Sequence, residues 1–531
     1  MPIKKSKQNS NSFLREHITS LQIASFVGMT CLFILLRWNS FNAPFERDEG
    51  EYAYAARILS HNEMPYEHSF LQKPPMIVYA YMVGQFISEN SIILPRIFAS
   101  LSVFLTILLT GLIVARERNH LMGLTVMWIM VPMLSLSALY PLAANTEVFM
   151  ILPMMFAFFL FMWKKGNATP LHWFIAGCSG AIACLFKPIA APVLVVMVFW
   201  WQYELWKSTK KFSALIKHTV VIITGVTATA ILFLLPFILH DGMKTLKECV
   251  IDYNILYTNL DRPDSSPFVL YMTFLWSTWW ILFILPVWLI IKRPTFWWGY
   301  LGLLAVSLLT VSRSAIAHYY ILAIPFLAIC AIIGLDSLFH SIPLFSKKGS
   351  TGLQVVVIGI IILILAIPNF SLISLSPTEL VTATYGDRNP FIEAQLMATK
   401  LAENSKKTDK VFIAGSEPEI LYYADRESPT RFIIMYPLMM PTPVASVYQD
   451  EVIQSLENNP PDEIVYVTSN ASWLTFKTTP KQILPYLDAL LKTKYTIIGG
   501  TLINSNDWVD KPSESDLKRC SLILCKKKTG L

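Results

Sequence analysis

The sequence predicts an α-helical polytopic membrane protein with a small α/β domain at its C-terminus, on the outer side of the membrane. Two observations carry the membrane part: 54% of the 531 residues are hydrophobic and only 15% are charged, and apolar runs of about 17 to 25 residues recur, each long enough to span a hydrocarbon core. A third carries the rest, because from about residue 371 the composition becomes that of a soluble domain.

About eleven spans are expected, near 18–36, 94–114, 121–139, 148–162, 171–186, 189–203, 216–239, 268–291, 296–311, 316–338 and 353–370. The first follows Lys4, Lys5, Lys7 and Arg15 and precedes no small-residue cleavage site, so it reads as a retained span. Short cytoplasmic loops are enriched in Lys and Arg. With the N-terminus inside, every second loop is basic: Arg116 and Arg118; Lys164 and Lys165; Lys207, Lys210, Lys211 and Lys217; Lys292 and Arg293; Lys347 and Lys348. That alternation puts the first loop (39–93), the Asn145/Glu147 turn, the Lys187 turn, the 241–267 loop, Arg313 and the C-terminal domain outside. The membrane domain is then 1–371 and the outer, periplasmic domain 372–531.

The net charge of +7 falls mainly in these short loops, which explains it by topology and leaves no role for nucleic acid. The seven cysteines have no metal-like spacing. Only Cys520 and Cys525 lie close together, and their odd spacing on one strand points them apart, so no disulfide is expected. In the outer domain, Asn389-Pro390 opens a helix with Ile392, Leu396, Met397 and Leu401 on one face. Strand-like runs follow at 411–414, 431–436, 463–468, 495–498 and 521–525.

The first outer loop holds the chemistry, in the stretch FERDEGEYAYAARILSHNEMPYEHSFLQKPP at 45–75. Acids at a membrane edge are costly without a task. Residues 48–59 read as a helix on the membrane surface, with Tyr52, Ala55, Ala56 and Leu59 on its apolar side. For Glu46, Glu49 and Glu51 taken singly, complementing the helix dipole is explanation enough. Asp48, a short carboxylate at the helix start beside apolar surface, suits proton abstraction. Lys73, aimed by Pro74-Pro75, fits a headgroup phosphate or, equally, a snorkelling interfacial lysine.

Lys187, Arg313 and His318 stand at outer edges where the topology rule disfavours positive charge, and a lipid-linked phosphate or diphosphate supplies the missing partner. His318 also reads as a histidine hydrogen-bonded between helices, and Arg96 as an interface anchor. Asn145-Thr146-Glu147 opens the fourth span with a second carboxylate, capped by Asn145. No phosphate-binding glycine loop, zinc-type histidine pair or nucleophile elbow is present, so nucleotide hydrolysis, metalloprotease and serine hydrolase chemistry find no support. Charges within spans lie near their ends, unlike those of ion-coupled transporters.

Asp48-Glu49-Gly50-Glu51-Tyr52-Ala53-Tyr54, Pro65-Tyr66, Lys73-Pro74-Pro75, Asn145-Thr146-Glu147 and His318-Tyr319-Tyr320 together resemble bacterial membrane glycosyltransferases of the GT-C class. The branch they resemble is related to protein O-mannosyltransferases and lipid A aminoarabinose transferases. The resemblance implies a GT-C-like fold in the bacterial inner membrane. It also implies transfer of a sugar, with inversion, from a polyprenyl-phosphate carrier to an acceptor hydroxyl of lipid A, a glycan or a protein on the outer side. Asp48 matches the catalytic first-loop acid and Lys73 the lysine associated with the carrier phosphate. Glu147 is then a second catalytic carboxylate, Lys187, Arg313 and His318 join Lys73 at the carrier phosphate, and Glu49, Tyr52 and Tyr320 meet the acceptor or donor sugar. The chain departs from the aminoarabinose transferases at Gln72 and Glu51, where they carry a glutamate and an arginine. No cofactor is expected, and no metal either, the first-loop acids being the one outer group of metal-ligand type. The alternative is a non-catalytic protein that binds or moves polyprenyl lipids, and replacing Asp48 separates the two readings.

Overall fold

The computed structural model describes residues 20–163, 168–258, 260, 267–312, 316–346 and 350–528. Lys164, Lys165, Arg313, Lys347 and Lys348 lie outside the described residues.

Among the described residues, each expected apolar stretch is mainly helical, because in lipid a helix satisfies its own backbone polar groups. The helices up to residue 239 are α1 (Ser20–Arg37), α2 (Arg47–Ser60), α3 (Met76–Ile87), α4 (Ile93–Glu117), α5 (His120–Met133), α6 (Thr146–Trp163), α7 (Pro170–Phe186), α8 (Ala190–Thr209) and α9 (Phe212–Leu239). Among the described residues, seven helices are long and apolar enough to cross a membrane, and α3, α5, α7 and Trp297–Val311 are shorter apolar helices. α5 is shorter than its expected span: it stops at Met133, after Pro132, and its 14 residues rise only about 21 Å. α3 was not anticipated; it carries the chain from the first loop towards α4.

Ile324–Ser341 is the central post of the bundle, with nearly every side chain buried. α4, α5 and Trp297–Val311 pack around it. α1, α9 and Thr351–Ala366 are peripheral and expose most of their apolar surface, as lipid-facing helices do.

The C-terminal domain is a five-stranded mixed sheet in the order β1-β2-β5-β3-β4, built from β1 (Val411–Ala414), β2 (Glu463–Val467), β3 (Tyr495–Leu502), β4 (Trp508–Asp510) and β5 (Cys520–Lys527). β1 and β2 are parallel and the other pairs antiparallel. Alternation along the strands sends Val411, Ile413, Val465, Leu522 and Leu524 to the face covered by Phe391–Asn404 and Glu419–Ala424. Phe412, Ile464 and Cys525 belong with Val452, Leu456 and Leu487 of the helices on the other face. All seven cysteines are free thiols.

Two local expectations are corrected. Residues 431–436 form no strand: the Arg431 carbonyl accepts from the Phe70 and Ile433 N–H groups while its side chain pairs with Glu248 and Glu451, and the chain turns into the short helix Tyr436–Met439. Pro390, not Asn389, takes the N-cap position of the next helix and makes no side-chain cap bond, while the Asn389 side chain donates to the Tyr385 carbonyl.

α2 is also not the half-exposed surface helix expected from its pattern. Its residues from Glu49 to Ile58 are all buried, because the helix lies between α3 and Glu419–Ala424 of the C-terminal domain. Gly50 permits that approach, since a Cβ there would stand 2.6 Å from the Glu419 backbone nitrogen. At the other end of α2, Arg57 donates to the carbonyls of Leu421, Tyr422 and Arg426, each at 2.9 Å, and so caps the facing helix.

Candidate active site

Glu46, and not Asp48, is the N-cap of α2. Its carboxylate accepts from the backbone N–H groups of Asp48 and Glu49, and Glu49 reaches back to the Glu46 N–H, closing a capping box. The Asp48 carboxylate is thereby left free of capping duty. It sits 3.6 Å from Lys73 Nζ, which is also 3.9 Å from Glu51 Oε2.

Lys73 is held by its backbone. The Tyr66 hydroxyl donates to the Lys73 carbonyl at 2.9 Å, and Asn254 Nδ2 donates to the preceding carbonyl at 2.8 Å. Tyr66 reaches this position through a left-handed backbone (φ 73°), held by its N–H bond to the Ser69 carbonyl.

A second group is assembled from three distant segments. Glu147 lies in the first turn of α6, Lys187 ends α7, and His318 lies on the 3₁₀ turn Ala317–Ala323. Lys187 is ion-paired with Glu147, His318 Nε2 stands 3.5 Å from the same carboxylate oxygen, and the Thr146 hydroxyl donates to the other at 2.9 Å. The Lys187 ammonium also lies 3.6 Å from the centre of the Tyr319 ring. Asn145 does not supply the expected cap: its Oδ1 makes no hydrogen bond, and Glu49 instead takes the nearby Ala144 N–H at 2.8 Å.

The two groups share one field. Burial pushes Asp48 up, but Lys73, His318 and Lys187 outweigh it and hold the carboxyl below its usual range. Lys73 is raised although burial opposes its charge, since Asp48 and Glu51 stabilise the ammonium. Glu51 goes the other way: burial dominates and pushes it up to about 8, despite Lys73. Asp48 keeps 27% of its side chain exposed and Lys73 15%, whereas Glu51 and Glu147 keep 2% and 1%. Of these three acids, Asp48 is the most open to an incoming molecule.

The other expected site residues are placed differently. Tyr52 borders the cluster, its ring centre 5.7 Å from the Lys73 ammonium, and its buried hydroxyl has no hydrogen-bond partner. Glu49 is turned away into an ion pair with Arg96, which donates to it from Nε at 2.8 Å and from Nη2 at 2.5 Å. With both oxygens engaged in a buried pair, Glu49 fastens the loop, and Arg96 is no surface anchor. Tyr320 is buried with its ring against Tyr271, at 5.3 Å between centroids. Tyr319, the aromatic over Lys187, was read only as part of the His318-Tyr319-Tyr320 run and given no role of its own; its position beside His318 was the available signal. Among the described residues, no three His, Cys, Asp or Glu side chains are grouped as a metal site.

No protein-family model and no curated protein matches the sequence. Solved structures do match in fold. ArnT from Cupriavidus metallidurans bound to undecaprenyl phosphate superposes with a TM-score of 0.60 at 13% identity, covering 97% of this chain and 99% of that one. Its apo state gives 0.57 at 12% identity, covering 95% and 97%. The Archaeoglobus fulgidus oligosaccharyltransferase in complex with zinc and sulfate gives 0.50 at 13% identity, covering 93% of this chain and 73% of that one. This polytopic helical protein with its C-terminal sheet therefore has the fold of the GT-C glycosyltransferases.

Proposed function

We propose that this protein transfers a sugar from a polyprenyl-phosphate carrier to an acceptor hydroxyl of lipid A, a glycan or a protein, with inversion, at the outer face of a bacterial inner membrane. The observation that carries the reading is the pairing of a reachable, ionised Asp48 with Lys73 at 3.6 Å, beside Lys187 and His318. A fold shared with a protein bound to undecaprenyl phosphate supports it.

The chemistry follows from the charges. As the bond from the sugar to the carrier breaks, negative charge accumulates on the phosphate, and Lys73, fixed by its backbone bonds, stabilises that charge without reorganising. Lys73 is bound to Asp48 and Glu51 at distances longer than a direct hydrogen bond, so its donors remain available to a phosphate. Once the ammonium turns to the phosphate, the field holding Asp48 low weakens, and the carboxylate becomes a better base for the acceptor hydroxyl. Carrier binding thus activates Asp48. Glu147 keeps Lys187 and His318 in place beside it. Holding donor and acceptor in line contributes the rest.

The test is release of free polyprenyl phosphate from a set of synthetic polyprenyl-phosphate sugars, with a membrane extract as acceptor source. Purified wild type is compared with Asp48→Asn, with and without chelator. Release by wild type alone supports the reading, and insensitivity to chelator supports the metal-free course. Donor binding by both proteins with release by neither favours the non-catalytic lipid-handling reading.

A further inference from the structure

Glu51 is unexplained by the mechanism above. It follows Asp48 by three residues on α2, so both project from one face of the helix, and Lys73 lies between them, 3.6 Å from Asp48 and 3.9 Å from Glu51. Its side chain is 2% exposed, and its Oε1 is buried with no hydrogen-bond partner. A buried carboxylate needs its lone pairs satisfied and its charge compensated. Here one oxygen has no partner and the single ammonium is shared with Asp48. Complementing the helix dipole does not account for it either, since the capping box of Glu46 and Glu49 already satisfies that terminus. The titratable groups around Glu51 are Asp48 on its own helix, Lys73 from the loop, and the Tyr52 and Tyr66 phenols.

We propose that Glu51 acts as an uncharged hydrogen-bond donor to the carrier phosphate, its carboxyl group sharing a phosphate oxygen with the Lys73 ammonium. The proposal rests on the reading of Lys73 as the carrier-phosphate lysine. Burial, which holds Glu51 up to about 8, keeps the proton on the group at neutral pH. A neutral carboxyl gives its O–H to an anion, whereas an ionised one repels it. No proton need be transferred: the O–H bond orients towards the phosphate, Lys73 supplies the charge, and Asp48 remains the acceptor of the hydroxyl proton. The pair discriminates in favour of a phosphate monoester or diester that presents an oxygen to both groups.

The experiment is binding of undecaprenyl phosphate to the full-length protein in detergent at pH 7 and pH 9, for wild type, Glu51→Gln and Glu51→Met. With a second pKa of about 6, the carrier phosphate is about nine-tenths doubly ionised at pH 7 and almost wholly so at pH 9, a change of about a tenth against the tenfold effect expected. Wild type is expected to lose about tenfold in affinity from pH 7 to pH 9, as the protonated fraction falls. Glu51→Gln, which keeps a neutral donor, should bind at pH 7 within about threefold of wild type and lose the pH dependence, while Glu51→Met should bind weakly at both. Wild-type affinity that does not change between the two pH values overturns the proposal, and so does Glu51→Gln binding more than tenfold weaker at pH 7. The wild-type comparison decides the matter even where a variant does not fold. Absence of any binding by wild type overturns the carrier-phosphate reading itself. Binding without turnover in the donor assay leaves the Glu51 result standing and counts against the transferase alone.

Discussion

Arg96 grips Glu49 with both arms of its guanidinium, Nε to Oε1 at 2.8 Å and Nη2 to Oε2 at 2.5 Å, and neither side chain reaches solvent. The same guanidinium holds the carbonyls of Ser40, Ala43 and Pro44. One residue of α4 thus fixes the chain entering α2, and with it the direction in which Asp48 leaves the helix.

Removing one partner of this pair strands a buried charge. Arg96→Met is expected to destabilise the protein by about 3–5 kcal/mol, whereas adding Glu49→Gln restores part of the loss. Thermal unfolding in detergent measures both. A single variant that unfolds at the wild-type temperature would show that the pair does not hold the loop.

Asp48→Asn keeps the shape and removes the base. Turnover is expected to fall by about 10²–10⁴-fold, with carrier binding retained, because Lys73 keeps its charge and position. Since Asp48 lies below the usual carboxylate range in the free protein, the pH profile of kcat/KM, which reports the free enzyme, should be flat on the acid side down to mild acidity. That of kcat should begin to fall at a higher pH, because the bound carrier draws Lys73 away. A kcat/KM already falling near neutrality would assign the base elsewhere.

Lys187 and Glu147 form the second buried ion pair of the site. Lys187→Met leaves Glu147 with only His318 and the Thr146 hydroxyl of that group, and no lysine, so both stability and turnover should drop. In Lys187→Met with Glu147→Gln, stability should recover and turnover should not, if the ammonium also serves the carrier phosphate. A double variant as active as wild type would restrict the pair to a structural role.

Glu419 faces the start of α2, with both carboxyl oxygens buried and without hydrogen-bond partners. Burial, with Glu417 adding to it, holds the group well above the usual range. The folded state therefore binds a proton that the unfolded state releases once pH exceeds the ordinary carboxylate pKa. That contribution is present at low pH and is lost progressively as pH rises towards the folded pKa. Glu419→Gln should accordingly leave the unfolding temperature little changed at pH 5 and raise it at pH 8. An equal shift at both values would exclude this linkage.

Much of the site was legible because its signals are local. A carboxylate beside a helix start, a lysine aimed by two prolines, and cations on the disfavoured side of the membrane can each be read from a few adjacent residues, and Asp48, Lys73, Glu147, Lys187 and His318 do come together. The misreadings share one cause. Glu49 and Arg96 each had a sufficient local explanation, and their pairing joins positions 47 residues apart. The amphipathic pattern of α2 suggested one wet face, yet the C-terminal domain covers it.

The sequence by itself determined the apolar spans, the soluble domain and the residues able to do chemistry, because hydrophobic length, strand alternation and turn chemistry act over a few residues. The tertiary structure alone decided which carboxylates are spent on holding the fold and which is left partly exposed. It also decided which carboxylate is held protonated at neutral pH. Charge state in a buried site depends on the dielectric and on partners brought in from far along the chain: Glu51 and Asp48 lie on one helix face near the same lysine, and burial sends their proton affinities in opposite directions.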